Sequence, residues 1–420
     1  MPQLLDELSW RGLLQDQTPG LRRRLSEGPI SGYVGFDPTA PSLQIGNLVP
    51  VMLLAHLQRS GGRPIVVVGG GTGMIGDPSG KSKERPLLDK DTIDRNAERQ
   101  RNQLAQFLDF DDSETGATMV NNADWLTTLD LVEFLRDIGK HFTLSYMLQK
   151  ESVKGRMADG ISYTEFSYML LQAYDFLQLH RTMGCELQLG GSDQWGNITA
   201  GIELIRRVEG GDAHGLSAPL LTTASGVKFG KTETGSVWLD PTMTRPYEFY
   251  QFWINSDDRD VENSLKVFTF KTQPEIAALL DEHARHPGSR VPHKSLAFDL
   301  TARVHGEEIA RRAAAASETV FGERSLAEVD RETLTMIAAD LPHAPLPAGF
   351  GPDTPVLDLV ASCPIVISRS DARRQIEQGG IYINDCKIAT TEATVGKPLD
   401  GGYYWVRRGK KTNFIFEPST

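Results

Sequence analysis

A compact strand, Gly32-Tyr-Val-Gly-Phe36, is followed by a helix with apolar spacing of three and four from Leu48 to Gln58, and then by a short buried strand from Arg63 to Val68. Strand, helix, strand over about 35 residues is the spacing of one parallel crossover unit. Such units build a parallel, helix-covered sheet, which places ligands at the carboxyl ends of its strands. A surface helix from Leu4 to Leu14, a helix from Phe166 to Leu179 and a strand Leu187-Gln188-Leu189 continue the pattern.

After about Tyr247 the strand pattern fades. Helices are expected over Glu262 to Phe270, Pro274 to Arg285, His293 to Val304 and Glu307 to Ser317. Pro342, Pro345, Pro347, Pro352 and Pro355 mark a loop or linker. A small module follows, with a helix from Asp371 to Gln378, Gly379-Gly380 as its stop, and strands Ile381 to Asn384 and Asn413 to Phe416. The expected class is therefore α/β: a Rossmann-like domain over 1–245, a helical domain over 246–325, a linker over 326–355 and a small α+β domain over 356–420.

Composition narrows the function classes. The longest strongly apolar run, Pro64 to Val68, is too short to cross a bilayer, and the acidic, amphipathic start argues against a secretory signal. Three cysteines among 420 residues are too few and too scattered for a disulfide framework or a thiolate metal site. A cytoplasmic protein is expected. The net charge of −11 excludes indiscriminate coating of nucleic acid, yet Arg407, Arg408, Lys410 and Lys411 crowd together near the end and permit local contacts.

The segment Gly69 to Lys83 invites two misreadings. Gly71, Gly73 and Gly76 satisfy G-x-G-x-x-G after a strand, but Asp77-Pro78, Gly80 and Pro86 leave no room for the long helix that fingerprint requires. Gly80-Lys81-Ser82 looks like the end of a Walker loop, but the position five before Gly80 is Ile75, not glycine. What survives is a loop whose Lys81, Lys83 and Arg85 suit phosphate.

Asp37-Pro-Thr-Ala-Pro-Ser-Leu-Gln-Ile-Gly-Asn47 opens a helix at the end of a strand, and Lys228-Phe-Gly-Lys-Thr232 lies downstream. These resemble the HIGH and KMSKS signatures of class I aminoacyl-tRNA synthetases. Between them stand Tyr163-Thr-Glu-Phe-Ser-Tyr168, Gln172-Ala-Tyr-Asp175 and Gly190-Gly-Ser-Asp-Gln-Trp-Gly-Asn197, a block that resembles the tyrosyl enzymes of bacterial type. The resemblance covers essentially the whole chain. Two departures stand out: Gln44 and Asn47 replace the histidines of HIGH, and Val34 stands where relatives often have cysteine. Gln and Asn amides are still donors, so the strength and pH dependence of activation are affected before the reaction itself.

The resemblance implies roles residue by residue. Tyr33 and Asp175 would sense the substrate's phenol. Asp77, Tyr168 and Gln172 would take its ammonium, and Gln194 would lie beside its carboxyl. Asp37, Gly46, Gly191, Asp193 and Lys231 would hold ATP or the adenylate. Thr39, Gln44, Asn47, Lys81, Lys83, Arg85, Lys228, Lys231 and Thr232 would stabilise the departing pyrophosphate. Arg373, Arg374, Lys387, Arg407, Arg408, Lys410 and Lys411, in and around Ser368 to Asn384, resemble a small RNA-binding module shared with a ribosomal protein and would meet tRNA phosphates. Mg²⁺ would arrive with ATP, no metal tightly held by the protein is expected, and His283, His286 and His293 read as helix-surface residues. The implied activity is tyrosine–tRNA ligation by a homodimer, with L-tyrosine, ATP and tRNA(Tyr) as partners and no membrane. A synthetase-like RNA-binding or regulatory protein with weakened catalysis is the alternative that Gln44 and Asn47 motivate.

Overall fold

The computed structural model describes residues 3–75, 89–157, 160–226, 229–232, 235–409 and 412–418, with the backbone alone at 151, 152, 156, 231 and 232. It divides into two units, Met1–Thr244 with Ser256–Pro292, and Arg245–Asn255 with His293–Thr420.

The first unit is built on a six-stranded sheet of β1 (Asp16–Gln17), β2 (Ser31–Phe36), β3 (Arg63–Val68), β4 (Thr118–Asn121), β5 (Leu187–Gly191) and β6 (His214–Ala218), in the order β1-β6-β5-β2-β3-β4. All neighbours are parallel except β1 with β6. Because β2 connects onward to β3 on one side and pairs with β5 on the other, a crevice opens at the carboxyl ends of β2 and β5. The run Pro64 to Val68 is buried throughout, as a central parallel strand covered on both faces must be. Behind β2 the helix Leu48–Arg59 buries nearly every residue from Leu48 to Leu57. The helix Tyr163–Met183 carries a capping box, with Ser162 accepting from the Glu165 amide, and ends on Gly184 in the left-handed region. A short hairpin, β7 (Lys231–Thr232) and β8 (Gly235–Ser236), follows the sheet.

The helices Asp258–Phe268 and Gln273–Arg285, expected within the helical domain, belong to the first unit. Arg11, only 2% exposed, explains the attachment. Its guanidinium donates to the carbonyls of Lys266, Thr269 and Lys271 at 2.7–2.8 Å and pairs with Glu7. A cation thus satisfies the orphan acceptors at a helix C-terminus.

In the second unit the expected linker is structured. The helix Arg331–Asp340 buries Leu334, Ile337 and Ala338, and β9 (His343–Pro345) pairs in parallel with β13 (Thr412–Glu417). Prolines suggested a loop, but an edge strand tolerates Pro345 because no partner lies beyond it. The sheet β11-β10-β12-β13-β9 includes β10 (Ile381–Ile383), β11 (Cys386–Lys387) and β12 (Tyr404–Arg408). One face packs on the helices Val356–Ala361 and Arg369–Glu377, while Tyr403, Trp405 and Ile415 share a core with Leu334 and Ile337. His293 is a correction: it is fully buried, not a surface residue. Leu296, Ala297 and Leu300, three, four and seven residues on, share its buried face.

Candidate active site

The crevice holds a cavity of about 840 Å³, a size suited to a small-molecule substrate pair. Its floor lies where β2 meets β5. Tyr33, paired in register with Gln188, is 1% exposed, and its hydroxyl has no hydrogen-bond partner among the described residues. Burial and the nearby Asp175 push the phenol well above its ordinary pKa. A buried hydroxyl left unmatched costs about 1–3 kcal/mol, so the fold tolerates it only where something else supplies the bond.

Asp175, 3% exposed, accepts from Asn122 Nδ2 at 2.9 Å and from the Trp125 indole at 2.7 Å. Burial raises its pKa to about 7; the two donors pull it down, and Asp37 pushes it up further. The sign for stability follows. The unfolded carboxyl ionises near 3.8, the folded one near 7, so its contribution to stability is full below about 4 and is lost as pH rises to about 7. Denaturation of wild type and Asp175→Ala from pH 4 to 8 should show wild type losing on the order of a few kcal/mol relative to the variant over that range. A difference that does not move with pH would contradict the assignment.

Asn122 and Trp125 were not singled out in the sequence. Both follow β4, a strand too short and half-buried to stand out, and the polar pair Asn121-Asn122 at its carboxyl end was the available sign. Asn122 also donates to Thr72 Oγ1 (3.0 Å) and accepts from the Gly71 amide (2.8 Å). Thr72 in turn donates to Asp37 Oδ1 at 3.0 Å, and the Tyr168 hydroxyl lies 3.5 Å from Asp37 Oδ2. A Cβ at position 69 would sit 2.1 Å from the Asp37 carboxylate and 2.6 Å from Thr72 Oγ1, so only glycine fits after β3. Asp37, expected beside the nucleotide, therefore also belongs to the network around the phenol floor.

Tyr168, Gln172 and Asp175 lie on one face of the Tyr163–Met183 helix and all line the cavity. Gln172 Nε2 donates to Gln194 Oε1 at 3.3 Å, Asn197 does so at 3.0 Å, and the buried Gln172 Oε1 has no partner among the described residues. That oxygen suits an ammonium. Gly191, Asp193 and Gln194 line the cavity at the end of β5, and Val34, Asp37 and Thr39 at the end of β2.

Gln44, Gly46 and Asn47 line the same cavity. Asn47 Oδ1 accepts from the Gln44 amide at 2.9 Å, which leaves the Asn47 NH₂ as the group to offer a ligand. The turn is tied downstream through Ile45 N to Val237 O (3.0 Å) and Leu239 N to Leu43 O (2.9 Å). Gly230, at φ +87°, backs onto it, with Gly46 N only 3.3 Å from where a Cβ would be. Phe229 and Gly230 line the cavity, and Lys231 and Thr232 form β7. Asp77, Lys81, Lys83, Arg85, Lys228, Lys410 and Lys411 lie outside the described residues.

In the second unit Arg373 and Lys387 are exposed, Arg374 pairs with Asp371 at 2.5 Å, and Arg407 sits 4.5 Å over the Tyr382 ring and 3.6 Å from Asp385. Arg408 follows it on β12.

Comparison with known proteins agrees with this geometry. Residues 25–322 match the family model of tRNA synthetases class I (W and Y), and residues 334–416 match that of the tyrosine–tRNA ligase C-terminal domain. A tyrosine–tRNA ligase of Anaeromyxobacter dehalogenans is 54% identical, covering 98% of each chain. One from Bacillus caldotenax is 49% identical over 98% of this chain and 99% of its own. Among solved structures, a C-terminally truncated mitochondrial tyrosyl-tRNA synthetase of Aspergillus nidulans superposes with a TM-score of 0.69 at 32% identity, covering 76% of this chain and 94% of its own. The chain belongs to the tyrosine–tRNA ligase family of class I tRNA synthetases.

Proposed function

We propose that the chain activates L-tyrosine with ATP and then transfers tyrosine to the 3′ end of tRNA(Tyr). The observation that carries this reading is the phenol floor: a fully buried Tyr33 hydroxyl, without a partner among the described residues, in the same cavity as a buried carboxylate already held by two donors. Such a floor is complementary to one more hydroxyl and hostile to its absence.

In the first step the tyrosine carboxylate, ionised at neutral pH, attacks the α-phosphorus. A carbon-linked O–P bond forms, the Pα–O–Pβ bond breaks, and pyrophosphate leaves with the charge. No general base is required, so the useful groups are donors and cations where that charge grows. Thr39, Gln44 and Asn47 are the described candidates, joined by Lys81, Lys83, Arg85, Lys228, Lys231 and Thr232 on the strength of the resemblance. Asp37, Gly46, Gly191 and Asp193 would hold the adenylate, and Asp77, Tyr168, Gln172 and Gln194 the α-substituents of tyrosine. Mg²⁺ would enter as part of the nucleotide substrate, held mainly by phosphates and water. In the second step a hydroxyl of the terminal tRNA ribose attacks the carbonyl, the ester forms, and AMP leaves and takes the proton. Charging of tRNA(Tyr) with labelled tyrosine tests the whole sequence; a protein that binds tyrosine but never charges the tRNA would support the regulatory alternative instead.

No helix of the described residues is long and apolar enough to cross a membrane, and a cytoplasmic homodimer is the assembly we favour. Leu131, Val132, Leu144 and Tyr163 are each 67–76% exposed, and an interface between two copies is where we place them. Val132→Asp, at a position 70% exposed, should therefore leave the fold intact and shift the protein to monomer in sedimentation velocity. An unchanged dimer would place the interface elsewhere.

A further inference from the structure

Ala224 and Phe229, the latter lining the cavity, are fastened by the Asp258–Phe268 helix, none of whose residues lines it. Phe229 N donates to Leu221 O at 3.1 Å, and a turn runs from Thr223 to Gly226. Leu221, Phe229 and Gly230 face the cavity. On the other side, two contacts reach the Asp258–Phe268 helix. The Ala224 amide donates to both carboxylate oxygens of Asp260 at 2.9 and 3.0 Å. The Phe229 ring stacks on Phe268, with centroids 5.1 Å apart and planes 21° from parallel. Phe268 is 1% exposed and cannot swing away, and the end of its helix is held by the buried Arg11 guanidinium. Ala224 and Phe229 are thus each pinned to a helix that is itself bolted to the core.

We infer that Asp260 and Phe268 are positioning residues for adenylate formation: by fixing Ala224 and Phe229 they set the backbone that runs through Gly230 into β7, whose Lys231 and Thr232 are assigned above to the leaving pyrophosphate. The inference rests on the reaction proposed above. Neither residue touches substrate; each acts through Ala224 or Phe229, and small displacements of charge-stabilising groups are expensive in the transition state. The floor that binds tyrosine is anchored separately, through β2, β5 and the Tyr163–Met183 helix, so tyrosine affinity should not follow.

The test is tyrosine-dependent ATP–pyrophosphate exchange on Asp260→Ala, Asp260→Asn and Phe268→Leu in the full chain, with tyrosine binding measured separately by calorimetry. Asp260→Ala and Phe268→Leu should each lower kcat for exchange by about tenfold or more and raise KM for ATP, with the Kd for tyrosine within about twofold of wild type. Asp260→Asn should recover most of the rate, because its carboxamide oxygen still accepts from the Ala224 amide. Exchange unchanged in Asp260→Ala and Phe268→Leu would overturn the inference while the reaction stands. A rate loss matched by an equal loss of tyrosine affinity, or one that Asp260→Asn does not relieve, would also overturn it. A wild type that binds tyrosine yet shows no exchange would remove the underlying reaction, and this inference with it.

Discussion

Asp175→Ala should lower kcat/KM for tyrosine by at least about 10³-fold, while the protein stays folded and its affinity for ATP changes little. The argument is one of matching. In wild type the carboxylate is fixed by Asn122 and Trp125, and the Tyr33 hydroxyl, like the Gln172 and Gln188 side-chain oxygens, is buried without a partner among the described residues. A phenol completes that set. On the function proposed above, removing the carboxylate deletes a charge-assisted bond to substrate and leaves two protein donors unmatched, each costing about 1–3 kcal/mol. Folding suffers less, because the same change abolishes the burial that raises this carboxyl to about 7. Steady-state exchange kinetics with urea denaturation separate the two effects; a kcat/KM within tenfold of wild type would refute the assignment of the floor.

The second large effect concerns tRNA. Reversing Arg373 and Lys387 together to glutamate should cut aminoacylation by about 100-fold or more, mostly through KM for tRNA, and should leave exchange untouched. Both side chains are exposed, so reversal removes cations and adds anions without opening a core. Deleting the module from Val356 onward is a cruder experiment. Tyr403, Trp405 and Ile415 pack with Leu334 and Ile337, and β13 carries β9, so the cut would strip buried apolar surface from the rest of its unit. Paired exchange and charging assays decide, and an equal fall in both steps would show that the module does not act through tRNA.

Legibility in the sequence followed the strength of local pattern. The strands at 31–36 and 63–68 and the helix at 48–59 were evident because burial on both faces forces continuous apolar runs or a 3.6-residue period. The shared face of Tyr168, Gln172 and Asp175 on the 163–183 helix was legible in their spacing. What could not be read were contacts set by tertiary register. Asn122 and Trp125 reach Asp175 across about fifty positions of sequence, and Arg11 reaches the 266–271 carbonyls across some 260. Neither carries a local signature. The strand at 343–345 was hidden for a different reason: its prolines argue against a sheet, and only its edge position makes them tolerable.

The most direct measurement is ATP–pyrophosphate exchange by the wild-type protein with tyrosine and with phenylalanine side by side. Tyrosine should support exchange, and phenylalanine should fall below it by several orders of magnitude, toward the roughly 10⁵-fold discrimination established for tyrosyl enzymes as a class. No exchange with tyrosine, or comparable exchange with both amino acids, would contradict a floor built to read a phenolic hydroxyl.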